Sequence, residues 1–206
     1  MPARLTPIRV ADDVFEVAAG SPAEAQALAS DLRQTPGAED VVAGLDRVAV
    51  KFDPAEIELV RVALQNTRPT DEHSRGNASP VEIEIRYGGE HGPDLEQVCA
   101  ALGLSIDAFI AAHTGAVHTV EMIGFTPGFS YISGLPDGFS VPRLASPRPR
   151  VPAGSVGISA AFTGIYALDG PGGWPLIGRT DAELFRAERD APFLLTPGQR
   201  VQFRAI

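Results

Sequence analysis

Residues 81–87, Val-Glu-Ile-Glu-Ile-Arg-Tyr, are the stretch that decides the fold of this 206-residue chain. Apolar and charged side chains alternate along it, and successive side chains of a β-strand point to opposite faces of the sheet. A strand of this kind has one face in a core and the other in water. The pattern therefore predicts a half-buried strand, and it makes Glu82 and Glu84 solvated surface charges rather than a catalytic pair of acids.

Two short helices are predicted directly after this strand. The first has apolar side chains at helical spacing and stops at Gly103, and Ser105 can cap the second. This spacing makes Cys99 a core residue of the first helix. The apolar faces consist of Leu95, Val98, Cys99 and Leu102 in the first helix and of Ile106, Phe109, Ile110 and His113 in the second.

From residue 117 onward, short strand-like runs are separated by glycine and proline. This texture is typical of an all-β barrel with structured loops. Glycine is needed where φ is positive or where the backbone must approach a ligand or another strand closely. We therefore expect residues 81–206 to form a closed or nearly closed β-barrel with the two helices packed against it.

Upstream of residue 81, the segment 67–80 contains no large apolar residue and is predicted to be a linker. Residues 1–66 then form a separate small domain. Its pattern predicts the order β-α-β-β-α, with helices beginning at Ser21-Pro22 and Asp53-Pro54, where a capping side chain precedes proline. This order resembles a small ferredoxin-like sandwich, so the fold class expected for the whole chain is α+β.

Composition narrows the functional classes. A net charge of −9 argues against a nucleic-acid-binding surface. No apolar run approaches the roughly 20 residues that span a bilayer, and the N-terminus lacks the apolar core of a signal peptide. A single cysteine cannot form an intrachain disulfide. We expect a cytoplasmic protein with no membrane contact.

Lys51 is the only lysine among 17 basic residues. The sequence contains no G-x-x-x-x-G-K-[ST] loop, so any phosphate or carboxylate group would have to be bound by arginine or by backbone N–H groups. Four scattered histidines and one cysteine show no metal-ligand spacing. No Gly-x-Ser-x-Gly nucleophile elbow is present either, which disfavours covalent serine catalysis.

An ordered series of motifs gives a more specific indication. Together they resemble the family of the 5-oxoprolinase B subunit, also named allophanate hydrolase subunit 1 and Kip-type sporulation kinase inhibitor. The resemblance covers about residues 81–190. The motifs occupy residues 87–95, 113–114, 124–131, 134–136, 142–143, 150–158, 163–166 and 172–180.

The resemblance implies a cyclophilin-like barrel in the second domain that pairs with a related barrel of the larger C subunit. It also implies a third protein, the A subunit, and the use of ATP, with Mg²⁺, to activate 5-oxoproline for ring opening to glutamate. The isolated chain is expected to be inactive and to self-associate through apolar surface that a partner would cover.

Candidate site residues come from the family-like motifs. His113 and Arg179 are the catalytic candidates, although the spacing of His113 fits a hydrogen-bonded core histidine equally well. Arginine forks suit carboxylate and phosphoryl groups, glycines let the backbone approach a ligand, and tryptophan suits a pocket mouth. The substrate- or phosphate-binding candidates are Arg143, Arg150, Gly128, Gly154 and Trp174, with Arg148 a weaker one and no residue assigned to a metal.

Three functions stay open at this point. The chain is an enzyme subunit, a binding module that inhibits a histidine kinase, or a component of a urea or allophanate pathway. Nothing in the sequence supplies evidence for a kinase partner. A neighbouring gene for the larger subunit would favour the enzyme, whereas a biotin-carboxylase or amidase gene would favour the urea pathway.

Overall fold

The computed structural model describes residues 5–67 and 79–206, which belong to two compact units, Met1–Arg75 and Gly76–Ile206. Apart from its first residue and its last two, the predicted linker 67–80 lies outside the described residues. Each unit has its own hydrophobic core.

The first unit contains a four-stranded antiparallel sheet in the order β1-β2-β4-β3, with helix α1 packed against β3 and β4. The predicted order β-α-β-β-α is present in β2 to α2, and the structure adds β1, a short strand that the pattern does not predict. The ferredoxin-like assignment is not confirmed. The elements are β1 (Ile8–Ala11), β2 (Val14–Ala18), α1 (Pro22–Leu32), β3 (Ala38–Ala43), β4 (Arg47–Phe52), a 3₁₀ turn (Pro54–Glu56) and α2 (Ile57–Asn66).

Local capping explains where α1 begins. The Ser21 side chain accepts a hydrogen bond from the backbone N–H of Glu24, and Pro22 occupies the first helical turn. The Glu24 carboxylate in turn accepts a 2.7 Å bond from the Gly20 N–H. These contacts satisfy donors that a helix start leaves unpaired.

The second unit is a closed barrel, as the sequence predicts, with the strand order β10-β7-β6-β13-β5-β12-β9. β5 pairs with β13 in parallel, and the other barrel pairs are antiparallel. The elements are β5 (Val81–Tyr87), α3 (Leu95–Leu102), α4 (Ile106–Gly115), β6 (Val117–Ile123), β7 (Ser130–Ser133), β8 (Arg148–Val151), β9 (Ser155–Ser159), β10 (Phe162–Ile165), β11 (Gly170–Gly172), β12 (Leu176–Arg179) and β13 (Arg200–Ala205).

The strand that opens the second unit follows its predicted alternation. Ile83 and Ile85 of β5 are buried, whereas Glu82 and Glu84 are exposed. Helices α3 and α4 contact β12 and β13 respectively. Gly103 ends α3 in the left-handed conformation, and the Ser105 hydroxyl accepts a bond from the Ala108 N–H at the start of α4.

Strands β8 and β11 form a separate two-stranded sheet outside the barrel. They lie in the connections between β7 and β9 and between β10 and β12. Within residues 5–67 and 79–206, no single helix is long and apolar enough to cross a membrane, and α3 and α4 meet the length and composition only together, as a pair bent by 88°.

Candidate functional site

The loops of the second unit enclose a pocket of about 290 Å³. Five segments form it: the loop after β6, strand β7, the segment before β8, the residue after β10 and the segment from β11 to β12. The lining residues are Phe125, Phe129, Tyr131, Arg143, Leu144, Pro147, Tyr166, Pro171, Gly172, Gly173 and Trp174.

Aromatic side chains form the walls of this pocket, with Phe129 at the centre. Its ring makes edge-to-face contacts with Tyr131 and Tyr166 at 5.0 Å and with Trp174 at 5.6 Å between centroids. Edge-to-face packing is the favoured geometry of aromatic pairs. Phe129, Tyr166 and Trp174 form a small hydrophobic cluster with Val151 and Leu176, so these walls are fixed from behind.

Two glycines let the aromatic rings pack this closely. A Cβ added to Gly164 would lie 2.7 Å from ring atoms of both Phe129 and Trp174, and one added to Gly172 would lie 2.4 Å from the Tyr166 hydroxyl. Both distances are far below van der Waals contact. A side chain at either position would therefore displace a wall of the pocket.

Arg143 provides the positive charge of the pocket. Its side chain is exposed, and within the described part of the chain it makes no ion pair or hydrogen bond. Burial raises the pKa of Tyr131 and of Tyr166, and the charge of Arg143 opposes this effect at both hydroxyls. The two tyrosines are consequently neutral near pH 7 and can donate hydrogen bonds.

Phe125 stands at the edge of the pocket in an unusual conformation. Its φ is +70°, a left-handed value that glycine adopts freely but that costs an L side chain energy. The side chain is 62% exposed and contacts Phe129 edge-on at 5.5 Å.

Three of the predicted site residues lie together elsewhere, around Asp169. Arg150 bonds the Asp169 carboxylate at 2.5 Å, and the Ala153 N–H donates to the same group at 2.7 Å. These bonds, that of Ala153 first, lower the pKa of Asp169. A Cβ on Gly154 would be 3.5 Å from Nε of Arg179, which is half-buried beside this cluster.

The predicted site is thus divided. Arg143 and Trp174 line the aromatic pocket, whereas Arg150, Gly154 and Arg179 surround Asp169. Gly128 precedes the pocket residue Phe129, has φ +78° and packs against Ala167 and Phe185.

His113 lies in the barrel core, fully buried between the rings of Phe109 and Phe203. Its Nδ1 is 2.6 Å from the Tyr87 hydroxyl and its Nε2 is 2.8 Å from the Thr163 hydroxyl. Burial, and to a smaller extent His118, lower the pKa of His113 to about 3. This geometry is that of the core histidine which its spacing also allowed, and we assign His113 no contact with a ligand.

Arg148, the weaker arginine candidate, has a structural partner that the sequence does not reveal. Its Nη2 donates to Asp94 at 2.7 Å, and the other carboxylate oxygen of Asp94 accepts the Leu176 N–H at 2.6 Å. Leu176 belongs to the cluster behind the aromatic walls. The pair therefore holds the start of β12, directly after Trp174, in place. No signal in the sequence links Asp94 to a residue 54 positions away.

Among the described residues, no group of three or more His, Cys, Asp or Glu side chains could hold a metal ion.

The fold and the pocket together define the class: an α/β protein whose second unit is a closed barrel with a loop-built, small-molecule-sized pocket. More particularly, the chain belongs to the family described as carboxyltransferase domain, subdomain C and D, whose model matches residues 10–195. The resemblance inferred from the motifs is thereby confirmed.

Two curated relatives carry the same name. The chain is 47% identical over 130 residues to the 5-oxoprolinase B subunit of Bacillus subtilis, a match that covers 63% of this chain and 54% of the relative. It is 40% identical over 178 residues to the 5-oxoprolinase B subunit of Escherichia coli O157:H7, covering 85% of this chain and 82% of the relative. The chain thus spans about half of the first relative and most of the second.

Among solved structures, that of TTHA0988 in space group P212121 resembles the chain with a TM-score of 0.78 and 35% sequence identity. The match covers 94% of this chain but only 39% of the other. The chain therefore corresponds to a part of that longer protein.

Proposed function

We propose that this chain acts as the B subunit of an ATP-dependent 5-oxoprolinase, which opens 5-oxoproline to glutamate together with a larger C subunit and a third, A subunit. One observation carries the proposal: the 40% identity to the Escherichia coli 5-oxoprolinase B subunit extends over 82% of that relative. The names of the relatives favour this function over the kinase-inhibitor and urea-pathway alternatives.

In this proposal the aromatic pocket contributes to the substrate site. The bond to be broken is a cyclic amide, whose resonance makes its carbonyl carbon a poor electrophile. Holding a planar ring between aromatic walls restricts its orientation, which is how a binding site lowers the entropic barrier of a following step. The neutral hydroxyls of Tyr131 and Tyr166 are donors suited to amide or carboxylate oxygens.

The aromatic pocket does not match ATP by itself. It is walled by aromatic rings, is small for a nucleoside triphosphate and has one free arginine among the residues described. We therefore propose that ATP and Mg²⁺ bind largely through the partner subunits, and we derive no phosphoryl-transfer step from this chain.

Several structural and cellular features belong to the same proposal. The second unit is proposed to be a cyclophilin-like barrel that pairs with a related barrel of the C subunit, and the first unit is proposed to be a ferredoxin-like domain. Residues 1–66 and 81–206 are then the two domains, joined by 67–80. The complex is proposed to work in the cytoplasm, and the isolated chain to form homo-oligomers that light scattering would detect.

Reconstitution tests the proposed function. The chain is mixed with the A and C subunits, and ATP hydrolysis and glutamate release are measured with and without 5-oxoproline. We expect both activities to depend on 5-oxoproline and on this chain, and the chain alone to show neither. Omitting this chain provides the matched control. Full turnover by the chain alone, or undiminished turnover without it, would contradict the proposal.

A further inference from the structure

The aromatic pocket combines flat apolar walls with one unpaired positive charge. Phe129, Tyr166 and Trp174 are buried and held by their mutual contacts, so their positions are set before any ligand arrives. Arg143 is exposed at the same pocket and has no anionic partner within residues 5–67 and 79–206. A ligand that matches both features has a planar ring and an anionic group.

The size of the pocket limits the ligand further. Pockets for drug-sized molecules begin at roughly 300 Å³, and this one measures about 290 Å³. A single small ring with a carboxylate suits this volume better than a nucleotide. Two other arginines of these loops have anionic partners, Arg150 with Asp169 and Arg148 with Asp94.

Phe125 is a wall residue whose positive φ is fixed by a tight backbone turn, in which the Thr126 N–H donates a 2.9 Å hydrogen bond to the Gly124 carbonyl. A left-handed φ is unfavourable for a phenylalanine, and the residue is too exposed for burial to offset this cost. Strained residues of this kind concentrate at ligand clamps, where the surrounding structure keeps a side chain in a position useful for binding. The conformation of Phe125 leaves a large apolar ring at the open side of the pocket.

We propose that the pocket binds a small planar ring bearing a carboxylate, that Arg143 pairs with the carboxylate, and that Phe125 covers the exposed face of the ring. The choice of 5-oxoproline as the natural example rests on the proposed function. Phe125 and Arg143 are then the residues that determine specificity: the first selects for a flat ring and the second for its negative charge.

Trp174 makes the test direct, because it is the only tryptophan of the chain and lines this pocket. The full chain is titrated while Trp174 fluorescence is recorded. The ligands are 5-oxoproline, 2-pyrrolidinone, which is the same ring without the carboxylate, and pyrrole-2-carboxylate, a flat aromatic ring of the same size that bears a carboxylate. We expect 5-oxoproline and pyrrole-2-carboxylate to bind and 2-pyrrolidinone to bind at least about tenfold more weakly, because it lacks the charge-assisted contact.

Variants of Arg143 distinguish the effect of its positive charge on ligand affinity from the effect of its planar guanidinium group. Arg143→Ala is expected to weaken binding of both anions by about tenfold or more. Arg143→Lys is expected to recover only part of the affinity, because an ammonium does not reproduce the planar fork. The matched control is Arg200→Ala, which removes an exposed arginine of β13 that does not line the pocket and should leave both affinities unchanged.

Variants of Phe125 distinguish the contribution of its aromatic ring to binding from the effect of its positive φ on stability. Phe125→Ala and Phe125→Gly both remove the ring, and each should weaken binding by about five- to tenfold. Only glycine relieves the positive φ, so the melting temperature of Phe125→Gly should exceed that of Phe125→Ala by about 2–4 °C. Ala160, which has φ +48° outside the pocket, provides the control: Ala160→Gly should also stabilise the chain but leave binding unchanged.

The outcomes distinguish this proposal from the proposed function. Binding of pyrrole-2-carboxylate that depends on Arg143 and Phe125, without binding of 5-oxoproline, would support the pocket chemistry and count against the oxoprolinase. Oxoprolinase activity in the complex, with affinities indifferent to Arg143 and Phe125, would overturn the pocket proposal alone. Binding of neither carboxylate would overturn it as well.

Discussion

The barrel core around His113 and the aromatic pocket around Phe129 both combine aromatic rings with a nitrogen-bearing side chain. They differ in the partners of that side chain. In the core, both ring nitrogens of His113 have hydroxyl partners, and the side chain is fully buried. In the pocket, Arg143 is exposed and makes no ion pair with any residue that the structure describes.

The difference indicates what each region is for. A buried polar group without partners costs free energy, so a core histidine with both nitrogens satisfied stabilises one packing arrangement. A charged side chain left without a partner next to fixed aromatic walls contributes little to folding but remains available to a ligand. The core is therefore expected to determine stability and the pocket to determine binding. Three measurements test this difference.

The largest effect is expected from His113→Ala. The substitution leaves a cavity between Phe109 and Phe203 and removes the partner of the Tyr87 and Thr163 hydroxyls. We expect the second unit to lose about 3 kcal/mol of unfolding free energy. Urea unfolding followed by Trp174 fluorescence measures this change. A loss below about 1 kcal/mol would show that the His113 network is not a structural core.

Lowering the pH is expected to have an intermediate effect on the free energy of unfolding. Burial lowers the pKa of His113 to about 3, whereas an unfolded histidine titrates near 6.5. Below about pH 6.5 the unfolded chain therefore takes up a proton that the folded chain does not. The contribution of neutral His113 to the free energy of unfolding is fully present above about pH 6.5. It falls by about 1.4 kcal/mol per pH unit toward about pH 3.

Burial also lowers the pKa of His118, so this residue steepens the dependence in the same direction. Unfolding free energies measured between about pH 7.5 and 5 should show a smaller slope for His113→Gln, which cannot titrate, than for the wild-type chain. Equal slopes would mean that the pKa of His113 is the same in the folded and unfolded states.

The smallest effect on stability is expected from Arg143→Ala, because the side chain is exposed and unpaired among the described residues. We expect the free energy of unfolding to change by no more than about 0.5 kcal/mol. In the reconstituted complex, however, KM for 5-oxoproline should rise by about tenfold. A destabilisation as large as that of His113→Ala would show that the pocket determines stability as much as the core does.

Local sequence patterns predicted much of the fold. The alternation in residues 81–87 correctly predicted the exposed and buried faces of β5, and Ser21, Gly103 and Ser105 correctly marked helix ends. The glycine- and proline-rich texture after residue 117 correctly predicted a barrel. These features are local, since each depends on side-chain periodicity or on a cap within one turn. Strand β1 was missed because its four residues, Ile8–Ala11, are all exposed and too few to establish a periodicity.

The sequence by itself determined the family, the barrel and two of the residues that line the pocket, Arg143 and Trp174, because motifs and periodicity are properties of neighbouring positions. It could not distinguish Arg143 from Arg150 and Arg179, which have the same chemistry and similar surroundings along the chain. Only the tertiary structure paired Arg150 with Asp169, placed His113 between two core rings and left Arg143 free beside Trp174 among the residues described. Whether a charge is paired or free depends on contacts between residues far apart in sequence, and no local pattern records those contacts.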